Sequence, residues 1–581
     1  MSEVTGKALD IHILSRVLKY VRPYRGIFLL TLGLTIALAA LSPLRPILIQ
    51  YTFDHHIVTP DPDGLLRMTL IIIGVLLLES LVYYFYTYAA NWLGQTVIKD
   101  LRMEVYRHIN DLKLQYFDKN AIGTLVTRAV SDIETIADIF ANGILVISGD
   151  ILKLVTVIIV MFWVDWQLTL ISLSTIPLLL VATYIFKNGI RSSFQDVRTQ
   201  VSRLNAFLQE HITGMHIVQV FNREERELER FKTINAEHRD ANIRSVWYFS
   251  IFLPVVEILS AASLGLILWW AADDIMEKTM TIGQLVAFIL YINMLFRPIR
   301  ELADKFNTLQ MGMVSSERVF KVLDTHESIE DNGTFTTEKL HGEIEFKNVW
   351  FAYTDDEYVL KDISFKVHKG ESLALVGATG SGKTSIINLL SRFYEFQKGE
   401  ILVDGRNVRE YDKLFLRRNI AVVLQDVFLF SDTVYRNITL GDDSISRETV
   451  MQAAKDFGAH QFISSLPGGY DYNVMERGAM LSVGQRQLIS FIRAYVHDPT
   501  ILVLDEATSS IDTESEAIIQ KALIKLLEGR TSIVIAHRLA TIQKAKNILV
   551  LEKGRIAEMG SHQNLLENNG HYRSLFELQF S

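Results

Sequence analysis

The sequence predicts a two-part chain: an all-α six-helix transmembrane domain with long cytoplasmic helical extensions, followed by an α/β domain of the P-loop type. Three observations predict it. Apolar runs of membrane-spanning length cluster before residue 300, composition turns polar after Asp324, and a strand, a glycine-rich loop and a helix follow one another around Gly377. A chain of 581 residues is too long for one compact core. A mean hydropathy of +0.20 alongside 21% charged residues requires stretches far more apolar than the average. The formal charge of −8 excludes a chain built to neutralise nucleic-acid phosphates. With no cysteine, disulfide frameworks, thiolate catalysis and thiolate metal sites are excluded together.

Uncharged runs occupy Gly26–Leu44, Trp166–Phe186 and Thr279–Phe296, each near the roughly 20 residues that a spanning helix needs. Met68–Gly94, Ile139–Val164 and Ser245–Ala272 have the length but carry Glu79, Asp150 with Lys153, and Glu257. Six spans are therefore expected. Lys7, Arg16, Lys19, Arg22 and Arg25 precede the first run, and no cleavage site of small residues follows a short apolar core, so a secretory signal is not expected. The Tyr51–Leu66 loop contains no Lys or Arg, whereas Gln95–Asp138 contains six. Basic loops stay on the cytoplasmic side, which predicts a cytoplasmic N-terminus in the cell membrane. Gln95–Asp138 and Lys187–Arg244 are rich in helix formers and read as helical hairpins reaching into the cytosol.

Residues 1–324 are thus expected to form the membrane domain, 325–340 a polar linker and 341–581 a soluble domain. In the last, Ser372–Val376 reads as a buried strand. Gly377-Ala378-Thr379-Gly380-Ser381-Gly382-Lys383-Thr384 follows it and opens a helix. Glycines let successive N–H groups turn around phosphate oxygens at a helix N-terminus; Lys383 reaches β/γ oxygens, and Thr384 offers a hydroxyl to Mg²⁺. A second strand, Ile501–Leu504, ends in Asp505-Glu506, which places two carboxylates where ligands of doubly wound sheets bind. There Asp505 would hold Mg²⁺ through its water shell, and Glu506 would act as general base on the attacking water. Ser482, before Val483-Gly484-Gln485, reads as the N-cap of another helix and a further anion-binding terminus.

The order P-loop, Gln425, Leu481–Gln485, Asp505-Glu506 and His537 resembles the ATP-binding cassette, and its position behind six spans resembles an ABC exporter half-transporter. Tyr116-Phe117-Asp118, Trp166–Leu170 and Phe221–Glu224 extend the resemblance into the membrane half. The resemblance implies that Tyr353 stacks on adenine, Gln425 contacts Mg²⁺ and the membrane arms, and His537 holds the γ-phosphate. It further implies that Asp512 belongs to a loop at the dimer interface, and that Ser482–Gln485 caps ATP held by a second half-transporter. Tips near Gln115–Lys119 and His211–His216 would be coupling contacts. Where the family has Gly, this chain has Val483. A β-branched residue narrows backbone freedom there, which favours a partner of different sequence.

Charges inside spans are costly and face a cavity or one another. Asp150 and Lys153, at i,i+3, are expected to pair locally. Glu79 shares a helix face with Tyr83 and Tyr86. That arrangement reads either as packing or, with Glu257, as a pathway for a cationic amphipathic substrate. The expected function is ATP-driven export of amphipathic or drug-like compounds. A lipid flippase, whose cavity would hold basic residues for head groups, and an ATP-gated channel are the alternatives.

Overall fold

The computed structural model describes residues 10–276, 280–329, 333–354, 357–505, 513–536 and 539–580. The chain divides into two units. One holds the chain up to Asn110 together with Ile122–Thr325, and the other holds Asp111–Ala121 with the chain from His326 onward.

In the first unit, five helical segments among the described residues are long and apolar enough to cross a membrane: Arg22–Ile57, Pro62–Asp111, Leu145–Val164, Trp166–Thr213 and Glu224–Ala272. The shorter apolar stretch Ile282–Pro298 is the sixth, and it opens the helix Ile282–Leu323. Thr281 starts that helix with a reciprocal capping box to Gln284. The expected cytosolic extensions are continuous with the spans: Pro62–Asp111 runs 50 residues, about 75 Å at 1.5 Å per residue. One boundary differs from expectation. Arg45 interrupts the apolar run, but the helical path carries on through it to Ile57. The backbone satisfies its own hydrogen bonds whatever side chain it carries, so one charge does not end a helix.

The expected Asp150–Lys153 pair does not form. Asp150 instead pairs with Lys305 of the helix Ile282–Leu323, at 2.6 Å. That partner lies 155 positions away in sequence, a contact that i,i+3 spacing cannot reveal.

The second unit contains two sheets. β1 (Ile344–Ala352), β2 (Tyr358–Val367), β4 (Lys398–Val403) and β5 (Arg406–Asn407) form an antiparallel sheet in the order β2-β1-β4-β5. β3 (Ser372–Val376), β6 (Ile420–Val423), β7 (Ile501–Asp505), β8 (Thr531–Ile535), β9 (Asn547–Glu552) and β10 (Arg555–Gly560) form the other, in the order β10-β9-β3-β8-β7-β6. β9, β3, β8, β7 and β6 run parallel, and β10 closes the edge antiparallel to β9. Leu373–Val376 is buried throughout, as a parallel strand covered on both faces requires.

Candidate nucleotide site

β3 turns into the loop at Gly377, whose φ of +155° brings the chain so close to Leu551 that a Cβ would stand 2.3 Å from its carbonyl oxygen. Gly382, at φ +105°, caps the helix Lys383–Leu390. These two positions need glycine: one for space, the other for a left-handed backbone. Lys383 is buried and folds back over the loop, its Nζ donating to the carbonyls of Gly377 at 2.8 Å and Ala378 at 3.0 Å. Burial holds its ammonium below the ordinary lysine range, and the Asp505 carboxylate pushes the other way. Ser381 Oγ is buried with no hydrogen-bond partner. An orphaned hydroxyl inside a loop of N–H groups fits a phosphate that would complete its bonding. Ala378, Thr379, Gly380 and Thr384 are exposed.

Strand register sets the second half of the site. Leu375 of β3 is level with Ile535 of β8, which is level with Asp505 of β7. Two strand spacings, about 10 Å, therefore separate Asp505 from the level of the loop. β6 lies beyond β7, with Val423 level with Leu504, so Gln425 projects from the same sheet end. Among the described residues no cluster of three or more His, Cys, Asp or Glu could hold a metal by itself. The Thr384 hydroxyl, the Asp505 carboxylate and the Gln425 amide are hard oxygen donors that fit Mg²⁺ shared with phosphate oxygens. Glu506, Asp512 and His537 lie outside the described residues.

Ser482 is the N-cap of the helix Val483–Val496, as expected, and its exchange with Gln485 is reciprocal: 3.2 Å from Gln485 N to Ser482 Oγ and 3.0 Å from Ser482 N to Gln485 Oε1. Gly484 is buried. The structure answers the backbone part of the concern over Val483. Val483 is the first helical residue and is not among those with positive φ. A β-branched residue adopts that backbone without strain, so what remains is bulk, in a side chain that is 45% exposed.

Tyr353 donates to or accepts from Ser385 Oγ at 3.0 Å, and its ring stands edge-on to Phe351 and Tyr394. Its carbonyl accepts from Gln115 Nε2 at 2.8 Å, and the Tyr394 hydroxyl donates to Asp118. The Gln115–Lys119 segment is thus hydrogen-bonded to the strand end that carries Tyr353, within one unit. Sequence reading missed Tyr394 and Ser385; a tyrosine between Phe393 and Glu395 carries no local signal of an acid 276 positions away. In the membrane unit Tyr86 is buried, Tyr83 is exposed with its ring 6.3 Å from that of Tyr86, and Glu79 is half-buried. Glu257 is exposed on the helix Glu224–Met276.

Residues 28–299 match the family model described as ABC transporter transmembrane region, and residues 360–509 match the one described as ABC transporter. The chain is 40% identical over 582 aligned residues to an uncharacterized ABC transporter ATP-binding protein of Bacillus subtilis, YknV, covering 100% of this chain and 96% of that one. It is 35% identical over 569 residues to an ATP-dependent lipid A-core flippase of Syntrophus aciditrophicus, covering 98% and 94%. To YgaD of Bacillus subtilis, named as a candidate multidrug export ATP-binding/permease protein, it is 34% identical over 576 residues, covering 98% and 99%. With both halves matched and relatives spanning its length, the chain belongs to the ABC transporter family, as a multi-pass membrane exporter that binds ATP and couples its hydrolysis to transport.

Proposed function

We propose that two such chains, or this chain and a related half-transporter, export amphipathic compounds from the cytoplasmic side, with the N-terminus and the cassette in the cytosol. Lys383 holds the β/γ-phosphates, Ser381 and the loop N–H groups complete the cradle, and Tyr353 stacks on adenine. Thr384, Asp505 and Gln425 hold Mg²⁺, which when bound neutralises developing phosphate charge. Glu506 takes the proton of the attacking water, and His537 contacts the γ-phosphate. Ser482, Val483, Gly484 and Gln485 close over the partner's ATP, and Asp512 lies at that interface. Residues 1–324, 325–340 and 341–581 act as membrane domain, linker and cassette.

The observation that carries this reading is the convergence of the buried Lys383, the unpartnered Ser381 Oγ and Asp505 at one sheet end. The test is nucleotide binding and turnover in the purified protein. Lys383→Ala should weaken ATP binding at least tenfold, and Glu506→Gln should retain binding while abolishing turnover; near-normal hydrolysis in the latter would refute the base assignment.

A lipid substrate is a second reading, favoured by one observation. Sequence inspection weighed the acids Glu79 and Asp150, but Lys153 has both Arg297 and Arg45 within electrostatic reach. Basic groups at this position suit an acidic head group.

A further inference from the structure

Lys153 sits in a mixed-charge group within the membrane unit. It interacts through space with Glu79, Arg297, Asp150 and Arg45, and it hydrogen-bonds none of them. Counted from the short-loop ends of their helices, Glu79, Asp150, Lys153, Arg297 and Arg45 all lie 11 to 17 residues in. At about 1.5 Å per residue this is a common depth of about 17 to 26 Å, inside a hydrocarbon layer of about 30 Å. Asp150 is taken by Lys305 at 2.6 Å, while Glu79 Oε2 is buried with no hydrogen-bond partner. Among the described residues, Lys153 and Glu79 are left facing each other without a bond.

Buried charge is tolerated where it is paired, and a lone carboxylate oxygen in this setting needs a donor. A purely cationic ligand would satisfy Glu79 but meet the repulsion of Lys153 and Arg45. A purely anionic ligand would satisfy Lys153 and leave the Glu79 oxygen as it is. A ligand carrying both charges satisfies both, because Glu79 and Lys153 are neighbours that do not bond each other. We propose that this group is a binding site for a zwitterionic head group, with its ammonium on Glu79 and its phosphate or carboxylate on Lys153. The proposal rests on the exporter reading above and names its substrate class. The same chemistry is offered by a bilayer lipid and by a water-soluble zwitterion.

The experiment uses the full-length protein in proteoliposomes, with ATP-driven movement and ATPase stimulation read for fluorescent phosphatidylethanolamine, phosphatidylglycerol and stearylamine. Glycylglycine is added as a soluble competitor. Wild-type protein is expected to prefer phosphatidylethanolamine over both singly charged probes. Glu79→Gln should lower the apparent affinity for phosphatidylethanolamine about tenfold while leaving phosphatidylglycerol within about twofold; Lys153→Gln should weaken both phosphate-bearing lipids and spare stearylamine. Competition by glycylglycine supports the site with a ligand taken from water, and its failure to compete supports the site with a ligand taken from the bilayer. The wild-type ranking requires no variant to fold: no preference for phosphatidylethanolamine overturns the proposal, as does equal loss of all three probes in both variants. ATP-driven movement of another amphiphile without this preference sinks the proposal alone, whereas no ATP-driven movement of any compound sinks the exporter reading beneath it.

Discussion

At the level of single residues, the strand, glycine-rich loop and helix of the candidate nucleotide site were legible because they are compressed into one segment. Eight consecutive residues from Gly377 to Thr384 hold the turn, the lysine and the hydroxyl, so spacing alone reveals them. Charge partners in the membrane were not legible, since Asp150 finds Lys305 on another helix and local spacing pointed to Lys153. At Val483 residue type raised both backbone freedom and close phosphate approach; the helical backbone answers the first and leaves the bulk of an exposed side chain for the second. Lys383 should tolerate Arg poorly, because its burial and two short contacts to loop carbonyls leave no room for a planar fork. Isothermal titration of ATP against Lys383→Arg should show at least a tenfold loss, and unchanged affinity would remove Lys383 from the phosphate cradle.

Elements carry the next set of expectations. The capping box at Ser482 satisfies two N–H groups at the start of Val483–Val496, and Ser482→Ala should cost about 1 kcal/mol in cassette stability by chemical denaturation. ATPase should fall by more than that destabilisation explains, because the same hydroxyl is assigned to the partner's nucleotide. A loss of stability with full turnover would leave Ser482 as a cap alone. The short helix Leu114–Lys119 is bonded to the cassette through Gln115 and Asp118. Asp118→Asn with Tyr394→Phe should leave ATP affinity within about twofold and abolish stimulation of ATPase by transported compounds. Intact stimulation would show that this joint carries no coupling. Helical periodicity identified the arms; the pairing of Asp118 with Tyr394 depends on tertiary placement, to which periodicity is blind.

For the whole molecule, six apolar stretches followed by one cassette make a half-transporter; the composition shift at Asp324 lies near the Thr325/His326 break between the two units, whereas nothing in the composition marks Asp111–Ala121 as grouping with the later part of the chain. The identity of the partner was not readable. The helical backbone at Val483 removes one ground for expecting a partner of different sequence, and on that ground the chain purified alone should form a dimer with Glu506-dependent ATPase, changed less than about threefold by Val483→Gly. A monomer, or a dimer whose turnover jumps on that substitution, would restore the expectation of an unlike partner. Coupling of hydrolysis to movement across the membrane is the central claim, and flux into sealed inside-out vesicles tests it most directly. A fluorescent amphiphile should accumulate against its gradient with ATP, and that accumulation should disappear in Glu506→Gln. Dissipation of a preset gradient on adding ATP, without accumulation, would contradict it and identify a gated channel.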